Sequence, residues 1–80
     1  MTPAIARNQA FGRYLTKKRE LVYKNKWDAG RRAGINPSRY SSLERGTVVI
    51  PVKLSEIDGI ARVLDLDWRE VLGVALGGVQ

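Results

Sequence analysis

The chain has no cysteine and no histidine. Without cysteine there is no disulfide to staple a small fold and no thiolate to hold a metal. Without histidine the usual general base, the commonest metal ligand and the one side chain that titrates near neutrality are missing together. Long apolar runs are absent too. The longest, Val71 to Val79, is interrupted by Gly73, Gly77 and Gly78 and is too short to span a bilayer. Met1 to Ala10 holds only short apolar stretches broken by Arg7, Asn8 and Gln9, which fits no secretory signal. Eighty residues make one domain, 1–80, with a modest core and little room for a large internal cavity. These absences argue against metal-assisted and nucleophilic catalysis. The expectation is a cytoplasmic binding domain that is not an enzyme, with no cofactor, no small-molecule substrate and no membrane partner.

Acidic charge is scarce, and unevenly so. The net charge is +6, yet residues 1–53 carry twelve basic against three acidic side chains, while residues 54–80 carry two against five. Such polarity attracts a phosphate backbone and orients the approach to it. A basic surface kept only for solubility is the plainer alternative.

No segment alternates apolar and polar residues as a strand does, and the apolar spacing is helical throughout, so the fold class is all-α: a bundle of four to five short helices. Thr2 and Pro3 either cap a first helix or belong to a loose arm over 1–10. From Phe11, the residues Phe11, Leu15, Lys18 and Val22 share one helical face, opposite a basic face of Arg13, Lys17, Arg19 and Lys24. Asn25 suits the cap of a second helix over Lys26 to Ala33, ended by Gly34. Asn36 followed by Pro37 is a side-chain cap and the residue best suited to a first helical position, so a third helix opens there and closes at Gly46. Thr47 to Lys53, β-branched and containing Pro51, reads as a loop. A fourth helix follows from Leu54 to Leu64 behind a Ser55 to Asp58 capping box, with Gly59 a weak point. Asp67 and Glu70 cap a short fifth helix that packs Trp68, Val71 and Leu72, and 73–80 forms a tail. The expected core is Phe11, Leu15, Tyr40, Leu43, Ile57, Ile60, Leu64, Trp68, Val71 and Leu72.

Two short helices joined by a glycine turn make a helix-turn-helix. If Tyr40 and Leu43 face the core, the opposite face of the third helix carries Ser38, Ser42 and Arg45, flanked by Arg39 and Ser41. None of these is acidic, and the serines let the backbone sit deep in a major groove about 12 Å wide. Arg39 is the side chain there suited to a bidentate contact with guanine, and is the first choice for base reading. Ser38 and Ser42 specify less sharply, and Pro37 suits a thymine methyl. Asn25 and Lys26 at the start of the second helix, with Ser41, Arg45 and Thr47 on the other flank, are the expected phosphate contacts.

Here the residues resemble a known family. The stretch "KWDAGRRAGINPSRYSSLERG", Lys26 to Gly46, is similar to the helix-turn-helix of lambda-repressor-like (Cro and Xre type) transcriptional regulators, above all in Gly34-Ile35 at the turn and Leu43 to Gly46 at the close. The likeness extends loosely from Phe11 to Leu72, with "IARVLDLDWREVL" matching the family's last two helices. It implies sequence-specific binding of double-stranded DNA, as a phage or prophage Cro-like repressor acting as a homodimer, at least on a palindromic operator. It further implies a structural ion pair between Arg19 and Glu44, and Pro37, Ser38 and Ser42 as the base-facing residues; for Arg39 the family position gives less support than the geometry does. The chain departs from the pattern at Ala29, Gly30 and Ala33, where larger side chains are usual, and at Lys24, usually apolar. The second helix therefore looks under-filled, with Tyr23 and Trp27 available to turn inward. Lys26 stands where glutamine is frequent, and the loop before the fourth helix is one residue longer.

Val48, Val49 and Ile50 cannot all point inward. At least one is therefore expected to be exposed and, with Trp68 and the stretch Val74 to Val79, to form a self-association patch; the same run suggests an alternative reading as an antitoxin-type protein-interaction module whose DNA binding is secondary. Asp65, Asp67 and Glu70 cluster, but helix caps account for them.

Overall fold

Cap residues and glycines set the boundaries of the helices. The computed structural model describes residues 3–48 and 51–77, and over these the chain forms five α-helices and no strand: α1 Pro3–Glu20, α2 Lys26–Arg32, α3 Pro37–Arg45, α4 Leu54–Val63 and α5 Trp68–Ala75. The fold is an all-α bundle. Residues 3–10 belong to α1 rather than to a loose arm, whereas Val22 lies beyond the helix end and is exposed. Asn25 caps α2, its side-chain oxygen accepting from the Asp28 amide at 3.1 Å. Asn36 caps α3, accepting from the Ser38 amide at 2.9 Å, and both positions fill donors that the first helical turn leaves unpaired. Gly34 (φ 76°) and Gly46 (φ 72°) close α2 and α3 in the left-handed conformation. The closing bonds from Ile35 to the Gly30 carbonyl and from Thr47 to the Ser42 carbonyl are those of a helix ended by a left-handed residue.

The start of α4 differs from expectation. Lys53, not Ser55, precedes the helix, and the reciprocal contact comes from Glu56, whose carboxylate accepts from the Lys53 amide at 2.8 Å. The Ser55 to Asp58 box does not form, because Ser55 already lies inside the first turn. Asp67 caps α5 as expected, accepting from the Arg69 amide at 2.9 Å. That helix runs on past Gly73 to Ala75, so the first part of the expected tail is helical; 78–80 lie outside the described residues.

The core joins all five helices through Phe11, Leu15, Ala29, Ala33, Ile35, Tyr40, Leu43, Ile57, Ile60, Ala61, Leu64, Val71 and Val74. Leu72 packs partly against it. Trp68 does not: at the first position of α5 it stays 53 % exposed, while Val71 and Val74 of the same helix are the buried residues. Nor does Trp27 turn inward, being 61 % exposed, although Tyr23 packs against the core. The volume missing from α2 is supplied across the helix-turn-helix. A Cβ on Gly30 would lie 2.8 Å from the Cβ of Tyr40, so the bare backbone of α2 is what admits the tyrosine of α3.

Gly59 is a crossing point rather than a weak point. A Cβ there would fall 2.2 Å from the Ala33 carbonyl oxygen, inside van der Waals contact with backbone that has no rotamer to yield. Gly59→Ala should therefore destabilise the fold by about 1–2 kcal/mol even though alanine is the better helix former. The expected reading is a melting temperature lower by roughly 10 °C in thermal denaturation; an unchanged or higher value would refute this account of the α2–α4 contact.

Candidate nucleic-acid interface

Two buried contacts fix how α3 is rolled. Tyr40 and Leu43 sit in the core, and Glu44 turns the same way to meet Arg19 of α1. The guanidinium donates from Nε to Glu44 Oε2 at 2.8 Å and from Nη2 to Oε1 at 3.1 Å, a buried bidentate pair. Its Nη1 donates to the Tyr23 and Lys24 carbonyls at 3.1 and 2.8 Å, and Thr16 Oγ1 donates to Glu44 Oε1 at 3.0 Å. The carboxylate partner raises the Arg19 pKa above its ordinary value, against the opposing effect of burial. Burial, reinforced by Glu44, also keeps the Tyr40 phenol well above its usual range and neutral.

With that side turned in, Ser38 and Arg45 are exposed, and Pro37, Ser41 and Ser42 are half-buried along the outer surface of α3. Arg45 reaches back to Ser42 Oγ at 3.5 Å. Asn25 and Lys26 stand at the start of α2, with Asn25 exposed and its side-chain oxygen engaged in the cap. Thr47, just past the end of α3, is exposed. Of the expected residues, Asn25, Ser38, Arg45 and Thr47 are thus exposed and Lys26, Pro37, Ser41 and Ser42 half-buried, and one departs from expectation.

Arg39 is not presented for base reading. Its Nε donates to Glu56 Oε2 at 2.9 Å, and its Nη2 donates to Glu56 Oε1 at 3.0 Å and to the Pro51 carbonyl at 3.1 Å. The Arg39 side chain is 22 % exposed and that of Glu56 11 %. Arg39 therefore ties α3 to the first turn of α4 and to the loop between them. Periodicity along one helix could not reveal this, because the partner lies 17 residues away on another element. Glu56 was visible in the sequence only as a member of the acidic second half.

The remaining charge is also sorted by position. Arg62 and Arg69, the basic residues after residue 53, are each paired with an aspartate. Arg13, Lys17, Lys24, Lys26 and Arg45 have no carboxylate partner among the described residues. These cations lie on α1 to α3 and in the turn between α1 and α2, so the sequence polarity survives folding. Val48 is half-buried against the core with its carbonyl accepting from Asn8 Nδ2 at 3.4 Å, which removes it from the suggested apolar patch. Val49 and Ile50 lie outside the described residues. No described helix is long and apolar enough to cross a membrane. Comparison with protein-family models and with curated proteins gives no match to this chain.

The Arg39–Glu56 contact makes a prediction about acid stability. Burial alone would raise the Glu56 pKa, but hydrogen bonds from Arg39 and from the Lys53 amide outweigh it and hold the carboxyl below its ordinary 4.5. A depressed folded-state pKa stabilises fully above the ordinary value and loses that contribution as pH falls through 4.5 toward the lower folded value. Glu56→Gln should cost about 2 kcal/mol at pH 7, measured by urea denaturation, and the gap between wild type and variant should close as the pH is lowered below 4.5. A gap of constant size would show that the carboxylate charge is not what holds Arg39.

Proposed function

We propose that this chain binds double-stranded DNA sequence-specifically as a transcriptional regulator, with α3 entering the major groove. The observation that carries the reading is the outer surface of α3: a capped, proline-opened helix whose inward roll is fixed by Tyr40, Leu43 and Glu44, leaving serines and Arg45 outward with no acidic side chain among them. Uncompensated cations on α1 to α3 support it by attracting phosphates. The resemblance of Lys26 to Gly46 to Cro and Xre type regulators supports it independently of charge. On this reading Ser38 and Ser42 face the bases, Pro37 meets a thymine methyl, and Asn25, Lys26, Ser41, Arg45 and Thr47 grip the backbone. Arg39 positions α3 against α4 instead of reading a base. The regulator is a phage or prophage Cro-like repressor in the cytoplasm, binding as a homodimer on a palindromic operator whose half-sites lie about one helical turn apart.

Selection of bound sites from random duplex DNA at two salt concentrations tests the reading directly, and a symmetric motif is expected. On the selected site, Ser42→Asp should lower affinity by roughly a hundredfold or more while leaving the melting temperature nearly unchanged, because a carboxylate would face the base edges. Lys26→Ala should weaken specific and random DNA alike and reduce the salt slope by about one. Recovery of no enriched motif, or full specific binding by Ser42→Asp, would overturn the assignment of α3 as the reading helix.

A further inference from the structure

A second surface, separate from the outer face of α3, lies where α1 meets α5. An open groove runs there, its apolar lining made by the half-buried Ala10, Tyr14 and Gly73 and its basic lining by Arg13, Lys17 and Lys18 of α1. Arg13 and Lys17 are exposed and have no carboxylate partner among the described residues, and Lys18 lies over the ring of Tyr14 at 5.8 Å. Three carboxylates border the groove: the charge of Glu44 is offset by Arg19, whereas Glu70 accepts a hydrogen bond from the neutral Tyr14 and keeps its charge. Glu20, at the end of α1, is the third. Arg69, on the α5 rim, is paired with Asp67. Against Glu20 and Glu70, the cations Arg13, Lys17 and Lys18, unpaired among the described residues, leave a small cationic excess, gathered on the α1 side of the groove beside its apolar lining.

The residue that singles this groove out is Gly73. It lies inside α5, where glycine lowers helix stability relative to any ordinary residue. Nothing in the fold demands it. Its φ is not positive, and a Cβ placed on it would meet nothing within 4 Å. Gly30 and Gly59 are fixed by close neighbours in this same chain, whereas Gly73 faces open space in the groove. A bare backbone of this kind is suited to close approach by another chain.

We propose that the α1–α5 groove is a docking site for an acidic amphipathic helix of a partner protein, whose apolar side packs over Ala10, Tyr14 and Gly73 and whose carboxylates reach Arg13, Lys17 and Lys18. The apolar lining favours a peptide over nucleic acid, since a phosphate backbone has nothing to bury there. The cationic rim selects acidic over basic helices by charge complementarity. This surface does not depend on α3 entering DNA, so the two readings stand or fall separately.

The test uses the full chain and a fluorescein-labelled helical peptide with leucine at i, i+4 and i+7 and glutamate elsewhere, followed by fluorescence anisotropy. Saturable binding is expected, weakened by roughly tenfold or more in Gly73→Leu, which fills the groove, and in the double variant Arg13→Glu with Lys17→Glu. Gly73→Leu should fold, with a melting temperature at or above that of the wild type, and should bind duplex DNA as the wild type does. The proposal is overturned if the peptide does not bind the wild type, if Gly73→Leu binds it equally well, or if the same peptide with lysine in place of glutamate binds as tightly. It is also overturned if Gly73→Leu weakens duplex DNA in step with the peptide, which would assign the groove to nucleic acid.

Discussion

The contact on which the rest of the molecule turns is the buried pair of Arg19 and Glu44. Removing two charges from water is expensive, and a buried ion pair is often no more stabilising than well-packed apolar residues of the same volume. What such a pair does well is enforce one arrangement, because every donor and acceptor must find its partner. Arg19 satisfies its donors on Glu44 and on the Tyr23 and Lys24 carbonyls, and Thr16 supplies a further donor to the carboxylate. The end of α1, the turn into α2 and the last turn of α3 are thereby locked in one register. Loss of either partner would strand the other charge in the interior, at a cost of about 3–5 kcal/mol. The roll of α3 follows: once Glu44 points at Arg19, Tyr40 and Leu43 must point into the core, and Ser38, Ser42 and Arg45 outward.

A second ion pair completes the placement of α3 from the other side. Arg39 reaches Glu56 and the Pro51 carbonyl, so α3 is held by one arginine of α1 and itself holds α4 by another. The two pairs differ in environment, the first buried and the second nearer the surface. Between them they leave α3 little freedom to rotate, which suits a helix whose outer side chains are short. A serine hydroxyl reaches barely beyond the helix backbone, so a surface of serines makes contacts only if the backbone itself is accurately placed.

The helices were largely legible in the sequence because their boundaries are chemical: Asn25, Asn36 and Asp67 are caps, and Gly34 and Gly46 end helices whatever lies around them. The core followed for the same reason, since Phe11, Leu15, Tyr40 and Leu43 recur at helical spacing. What stayed hidden depends on neighbours distant in the chain. Along the chain alone Gly30 reads as a missing side chain and Gly59 as a defect; in the fold Tyr40 occupies the place beside Gly30 and the Ala33 carbonyl lies against Gly59. Arg39 reads as outward because periodicity describes one helix at a time and cannot show that Glu56 stands opposite. Trp68 reads as core because its size and spacing allow it, but at the first position of α5 it stays exposed while Val71 and Val74 of the same helix are the buried residues.

The commitment of Arg39 to Glu56 bears on what kind of recognition α3 is suited to. An arginine presented to guanine would give sharp discrimination at one base pair, about 1–3 kcal/mol. Serines both donate and accept, so their hydroxyls discriminate less among bases. On the proposed reading, selectivity must then come from the fit of a narrow helix surface into the groove and from the phosphate grip that sets its register, since phosphate contacts fix position without reading sequence. A weakly discriminating surface gains most from being used twice, because two copies on a symmetric site add their preferences while a misplaced copy loses the other's contacts. The chemistry of α3 therefore argues for a two-fold arrangement on its own account, before any apolar patch is invoked to join the copies.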